Sequence, residues 1–147
     1  MSHPPGSVLF VCNLNRVRSP MAASLVRKLY GAAVRVESCG LQPADAVDPM
    51  VAAVMQEVGI DLFDYKPQSF FELPVRDFEV IVALSDDAWA AVQQAALPGG
   101  PEAERWTTED PTAQEGSRDM RLEAYRMVRR TLERRIVDRF GAPQEWE

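Results

Sequence analysis

An apolar run that stops on a cysteine constrains this chain more than any other stretch. Val8-Leu9-Phe10-Val11 is short, continuous, β-branched and aromatic, and reads as a strand buried on both faces. It ends at Cys12. Six positions later stand Arg18-Ser19-Pro20, and from Met21 to Tyr30 apolar residues recur at helical spacing. The order is therefore strand, loop, helix, with Pro20 near the first helical turn, where its missing N–H costs nothing. Strands buried on both faces belong to parallel sheets with helices on either side.

A loop entering a helix in this way turns backbone N–H groups towards one point and, with the helix N-terminus, forms an anion cradle. The residues of that cradle are Asn13, Leu14, Asn15, Arg16, Val17, Arg18 and Ser19. At its mouth, a helix N-terminus, a guanidinium and a hydroxyl donor all favour the thiolate of Cys12 over the thiol. Arg18 can grip two oxygens of a tetrahedral oxyanion, and Ser19 is placed to hydrogen-bond the sulfur. The competing reading makes Cys12 a small buried hydrophobe at a strand end. The strand before it, the helix after it and the Ser-Pro following Arg18 favour the nucleophile.

The rest of the chain alternates. Residues 34–37 predict a second strand leading to Ser38-Cys39-Gly40, and residues 41–47 a loop. Asp48-Pro49 reads as cap and first residue of a helix closed by Gly59, with Val51, Val54, Met55 and Val58 on one face. A third strand is expected over 78–84, then a helix capped by Ser85 or Asp86 and running to about Ala96, then a weaker fourth strand over 104–106. The last helix spans 117–140, with Leu122, Tyr125, Val128, Leu132, Ile136 and Phe140 as its buried stripe. Such alternation implies an α/β fold with a parallel sheet covered on both faces, its ligand site at the carboxyl ends of the strands.

The chain has 147 residues, 46% of them hydrophobic and 26% charged, which suits one globular domain over 1–147. Residues 1–6 are expected to be a disordered tail. No apolar run is long enough to span a bilayer, and the opening MSHPPGS is no signal peptide. With two cysteines, a reducing, cytoplasmic setting is expected, with no membrane association. A net charge of −6 argues against nucleic acid as a partner. The arginines between Arg118 and Arg139 read as an ion-paired helix face in preference to a docking patch. The single histidine, His3, lies in the tail, so neither a Ser-His triad nor a histidine metal site can be built. No cofactor is expected.

The stretch Cys12-Asn13-Leu14-Asn15-Arg16-Val17-Arg18-Ser19-Pro20-Met21-Ala22 resembles the C-x-G-N-x-C-R-S-P-x-A opening of the low-molecular-weight protein tyrosine phosphatases and their arsenate reductase relatives. The resemblance covers essentially the whole chain. It implies a doubly wound sheet of four parallel strands in the order 2-1-3-4. It also implies a phosphomonoesterase acting through a cysteinyl phosphate, on a phosphorylated protein or a small phosphomonoester. Asp110, before Pro111 and ahead of the last helix, matches the family's general acid. Asn15, expected near the left-handed region, would tie the loop together and bond Ser38.

Four departures from that pattern matter. Leu14 replaces the family glycine and would distort the cradle if the position needs positive φ or close backbone approach. Val17 replaces the second loop cysteine, so the usual disulfide within the loop cannot form; Cys39 either approaches Cys12 in its place or is buried packing. Arg16 stands where an apolar residue or threonine is usual, and a cation there should favour acidic substrates. Thr112 and Ala113 stand where tyrosines often wall the pocket. Two further readings follow: an arsenate reductase borrowing an external thiol, since no cysteine follows Cys39, and a catalytically impaired anion-binding module.

Overall fold

The computed structural model describes residues 4–95 and 98–143. Four strands, β1 (Ser7–Cys12), β2 (Arg35–Gly40), β3 (Val80–Ala83) and β4 (Glu102–Arg105), form one parallel sheet in the order β2-β1-β3-β4. Four α-helices connect and cover them: α1 (Arg18–Tyr30), α2 (Pro49–Gln56), α3 (Asp86–Ala95) and α4 (Arg118–Phe140). The parallel sheet is the one expected from the alternation, and its doubly wound arrangement and strand order are those the resemblance implies. Among the described residues, no helix is long and apolar enough to cross a membrane.

β1 is central, and every one of its residues is buried. Alternation along it feeds two cores. Val8, Phe10 and Cys12 face the side covered by α1, α2 and α4, while Leu9 and Val11 face the side covered by α3. All six residues of the α4 stripe are buried in the first core. Each fully buried large side chain there, such as Phe10 or Leu132, contributes about 1.5–3 kcal/mol relative to exposure. Trp106 belongs to the same core and meets the ring of Phe10 edge-on at 5.7 Å.

The element boundaries differ from expectation in instructive places. β2 continues to Gly40 because Ser38, Cys39 and Gly40 pair with Phe10, Val11 and Cys12. β4 begins at Glu102 and releases Trp106 into the core. The expected helix end at Ala96 lies outside the described residues. Within the amino-terminal segment, residues 1–3 also lie outside them. Pro5 is buried, though, and Gly6 donates to Glu79 at 2.8 Å and accepts from the Arg35 N–H at 2.9 Å. The expected tail therefore does not extend to these two residues, because Gly6 already joins the β1 end of the sheet.

Candidate active site

The loop from Cys12 to Val17 leaves the carboxyl end of β1 and enters α1 directly. Its path is set by the segment that follows β2. The N–H groups of Leu41, Gln42, Ala44 and Asp48 donate to the carbonyls of Cys12, Asn13, Leu14 and Arg16, at 2.8–3.1 Å. In a trans peptide the C=O and the following N–H point in opposite directions. Tying those four carbonyls to one side therefore turns the N–H groups of Asn13, Leu14, Asn15 and Val17 to the other. Among the described residues, no acceptor takes any N–H from Leu14 to Val17.

α1 strengthens the same field. The helices α2, α3 and α4 each receive a side-chain cap, from Asp48, Ser85 and Ser117. α1 starts from Val17, which has no side-chain acceptor to offer. Its first N–H groups are left for a ligand, and its dipole favours negative charge there. Cys12 Sγ stands beside this helix end, 2.9 Å from Ser19 Oγ.

Asn15 holds the loop together. It is fully buried and is the single described residue other than glycine with positive φ, 50°. Its Nδ2 lies within hydrogen-bonding distance of Ser19 Oγ (2.8 Å), Tyr65 OH (2.9 Å) and Ser38 Oγ (3.1 Å), and its Oδ1 accepts from the Gln68 N–H at 2.9 Å. Tyr65 also hydrogen-bonds Ser38, and burial pushes its hydroxyl well above the ordinary phenol range, so it stays protonated. Leu14 needs no positive φ, and its side chain is 45% exposed on the rim. The close approach that requires a glycine occurs instead at Gly40. A Cβ there would stand 2.6 Å from the Asn15 nitrogen and 2.7 Å from the Leu14 carbonyl carbon.

Cys12, Asn13, Leu14, Arg16, Val17, Arg18, Asp110 and Thr112 line one pocket of about 270 Å³. Arg18 is anchored there by donating to the Thr108 carbonyl at 3.1 Å. Asp110 is exposed and extended (φ −92°, ψ 107°), as the following proline favours. Its Oδ1 accepts from the N–H and hydroxyl of Thr112, at 3.0 and 2.6 Å, capping a short 3₁₀ turn over 111–113. Among the described residues, Oδ2 has no partner. Arg16 lies 3.6 Å from Asp48, a 6%-exposed carboxylate that also receives the Tyr125 hydroxyl at 2.8 Å.

Cys39 does not approach Cys12 from β2. It pairs with Val11 and so faces the α3 side of the sheet, whereas Cys12 pairs with Gly40 and faces the α1 side. Both cysteines are free. Burial drives the Cys39 thiol far above its ordinary value, the signature of inert packing. No cluster of potential metal ligands exists among the described residues.

Sequence reasoning missed Tyr65, Gln68 and Thr108. The first two lie in an irregular stretch with no periodicity, and Thr108 acts through its carbonyl, which residue type does not report. Gly40 carried a usable signal, a glycine at the end of a strand that borders the loop.

The family model described as low molecular weight phosphotyrosine protein phosphatase matches residues 7–140. The glutaredoxin arsenate reductase of Synechocystis is 32% identical over 135 residues, 88% of this chain and 92% of that protein. The crystal structure of an arsenate reductase from Archaeoglobus fulgidus superposes with a TM-score of 0.72 at 28% identity, covering 91% of this chain and 98% of that one. A tyrosine phosphatase from Erwinia amylovora shares the fold, with a TM-score of 0.73 at 22% identity and coverage of 93% and 94%.

Proposed function

We propose, from the premise that this chain belongs to the low molecular weight phosphotyrosine protein phosphatase family, that it hydrolyses phosphomonoesters through a cysteinyl phosphate. The observation that carries the reading is the presence of Cys12, Arg18 and Asp110 around one small pocket. Cys12 as thiolate attacks phosphorus in line, forming the S–P bond as the bond to the leaving oxygen breaks, and Asp110 gives that oxygen its proton. Asp110, now a carboxylate, takes a proton from water, whose oxygen attacks phosphorus and releases inorganic phosphate and the thiolate. The freed loop N–H groups and Arg18 hold the charge on the three equatorial oxygens throughout. Ser19 stabilises the sulfur as it leaves. The chemistry calls for no metal.

The names of the relatives favour a second reading, arsenate reduction in the same cradle. Arsenate would lose one oxygen as water on forming a Cys12–arsenate adduct. An outside thiol would then attack Cys12 Sγ, and the S–As electron pair would pass to arsenic, giving arsenite and a mixed disulfide that a second thiol reduces. The outside thiol is obligatory here, because Cys39 is fully buried on the opposite face of the sheet.

Hydrolysis of p-nitrophenyl and phenyl phosphate, beside arsenate reduction in excess small thiol, separates the readings. Expected are turnover that vanishes in Cys12→Ser and a fall of about 10²-fold for phenyl phosphate in Asp110→Ala, the usual worth of a general acid. The effect should be smaller for the better leaving group, p-nitrophenolate. Arsenite production without ester hydrolysis would replace the first reading with the second. Activity unchanged in Cys12→Ser would remove both.

A further inference from the structure

We propose that the pocket adjoining the nucleophile is a second anion subsite, which takes an acidic side chain flanking the phosphorylated residue of a protein substrate. The proposal rests on the phosphatase reading above and narrows its substrate class. This neighbouring pocket, about 530 Å³, shares Arg16 and Thr112 with the Cys12 pocket, so one ligand can occupy both. Three guanidiniums line it, from Arg16, Arg118 and Arg121, against one carboxylate, Asp48.

That carboxylate is already committed. Asp48 accepts from the Met50 N–H at 2.8 Å and from Tyr125 at 2.8 Å, and it answers the charge of Arg16 at 3.6 Å. Arg118 and Arg121 are exposed, and neither has an acidic partner among the described residues. The guanidinium of Arg121 meets only the weak acceptor Met50 Sδ, at 3.7 Å. Further along the same helix Arg126, Arg129, Arg130 and Arg139 each pair with a glutamate, while Arg134 and Arg135 also have no acidic partner among the described residues but lie outside this pocket.

Helix stability does not explain the placement of Arg118 and Arg121 at this pocket. Arg118 is the first residue of α4 and Arg121 the fourth, at the positive end of the helix dipole, where cations are disfavoured. The α2 N-terminus also borders the pocket at Pro49 and Met50, with its Met50 N–H already taken by Asp48. In a chain of net charge −6 the pocket is a local reversal of sign beside the reacting centre. Guanidinium forks on an open surface suit carboxylates, and a peptide carries those at a short reach from its phosphorylated residue.

The test compares a phosphotyrosine peptide flanked on both sides by glutamate, the same peptide flanked by alanine, and p-nitrophenyl phosphate, with wild type and with Arg118→Glu/Arg121→Glu. Wild type should prefer the acidic peptide in kcat/KM by about tenfold at low salt, with the preference fading at high salt. The charge-reversed variant should lose that preference while p-nitrophenyl phosphate turnover stays within about twofold. Binding of both peptides to Cys12→Ser, with and without the reversal, is read in parallel by fluorescence anisotropy. Equal handling of the two peptides by wild type, or a preference that survives the reversal, overturns the subsite. Absence of ester turnover with an acidic binding preference intact overturns the phosphatase reading alone.

Discussion

Asn15 concentrates in one residue what the loop needs: a left-handed backbone and an amide that serves four partners. Replacing it with alanine strains the backbone, strands the Gln68 N–H and leaves the Tyr65 hydroxyl with Ser38 alone. The expected cost is about 3 kcal/mol in urea unfolding, with loss of ester turnover. Tyr65→Phe keeps the ring but removes the hydroxyl's bonds to Asn15 and Ser38, for about 1–2 kcal/mol by the same measurement. If Asn15→Ala unfolds at the wild-type urea midpoint, the network is not a structural support. Residue type alone anticipated part of this: asparagine tolerates positive φ, and Ser38 is suggested by the resemblance. Tyr65, fifty positions away, is supplied by a loop that carries no pattern. Leu14, standing where the resembled family has glycine, raised a concern that backbone geometry answers, since the tight approach falls on Gly40 and not on residue 14.

Among the elements, α4 was the most legible, because six apolar residues at helical spacing can satisfy only one buried stripe. What its arginines do depends on neighbours that spacing does not reveal. Glu57, just past the α2 end, is gripped by Arg126 and Arg129 at 2.8 and 2.9 Å, which hold its carboxyl down to about 2. In the unfolded chain it titrates near 4.5. Its contribution to stability is therefore complete above about pH 4.5 and lost as pH falls towards about 2, where the folded form also takes the proton. Glu57→Gln should lower the melting temperature by a few degrees at most at neutral pH, since the pair is partly exposed, and the gap should close as acid is added. A gap that widens in acid would contradict the pairing. β4 was the least legible element, because four residues of mixed polarity carry little alternation and only pairing with β3 defines them.

For the whole molecule, alternation of strands and helices implied the sheet, while the strand order came from the resemblance and is the order observed. The faces on which individual side chains fall required the register. That register separates the two thiols, with Cys12 in one core and Cys39 in the other. Peroxide should therefore carry Cys12 to its sulfenic and then sulfinic acid, read as gains of about 16 and 32 Da on the peptide that holds Cys12, apart from those of the exposed Met120 and Met127. Cys39 should react with iodoacetamide only after unfolding. A loss of about 2 Da, the mark of an internal disulfide, would show that the sheet opens far enough for the two to meet.

On the proposed reading, in which Cys12 is the nucleophile, a single reactive sulfur also sets how the molecule recovers from insult. Proteins with a resolving partner in the same chain repair at a rate fixed by their own geometry. Here rescue of an oxidised Cys12 is a collision between two molecules, so its half-time scales inversely with the surrounding thiol concentration. The same chain would then remain silenced for different times in differently reduced surroundings, its working fraction following the local thiol pool.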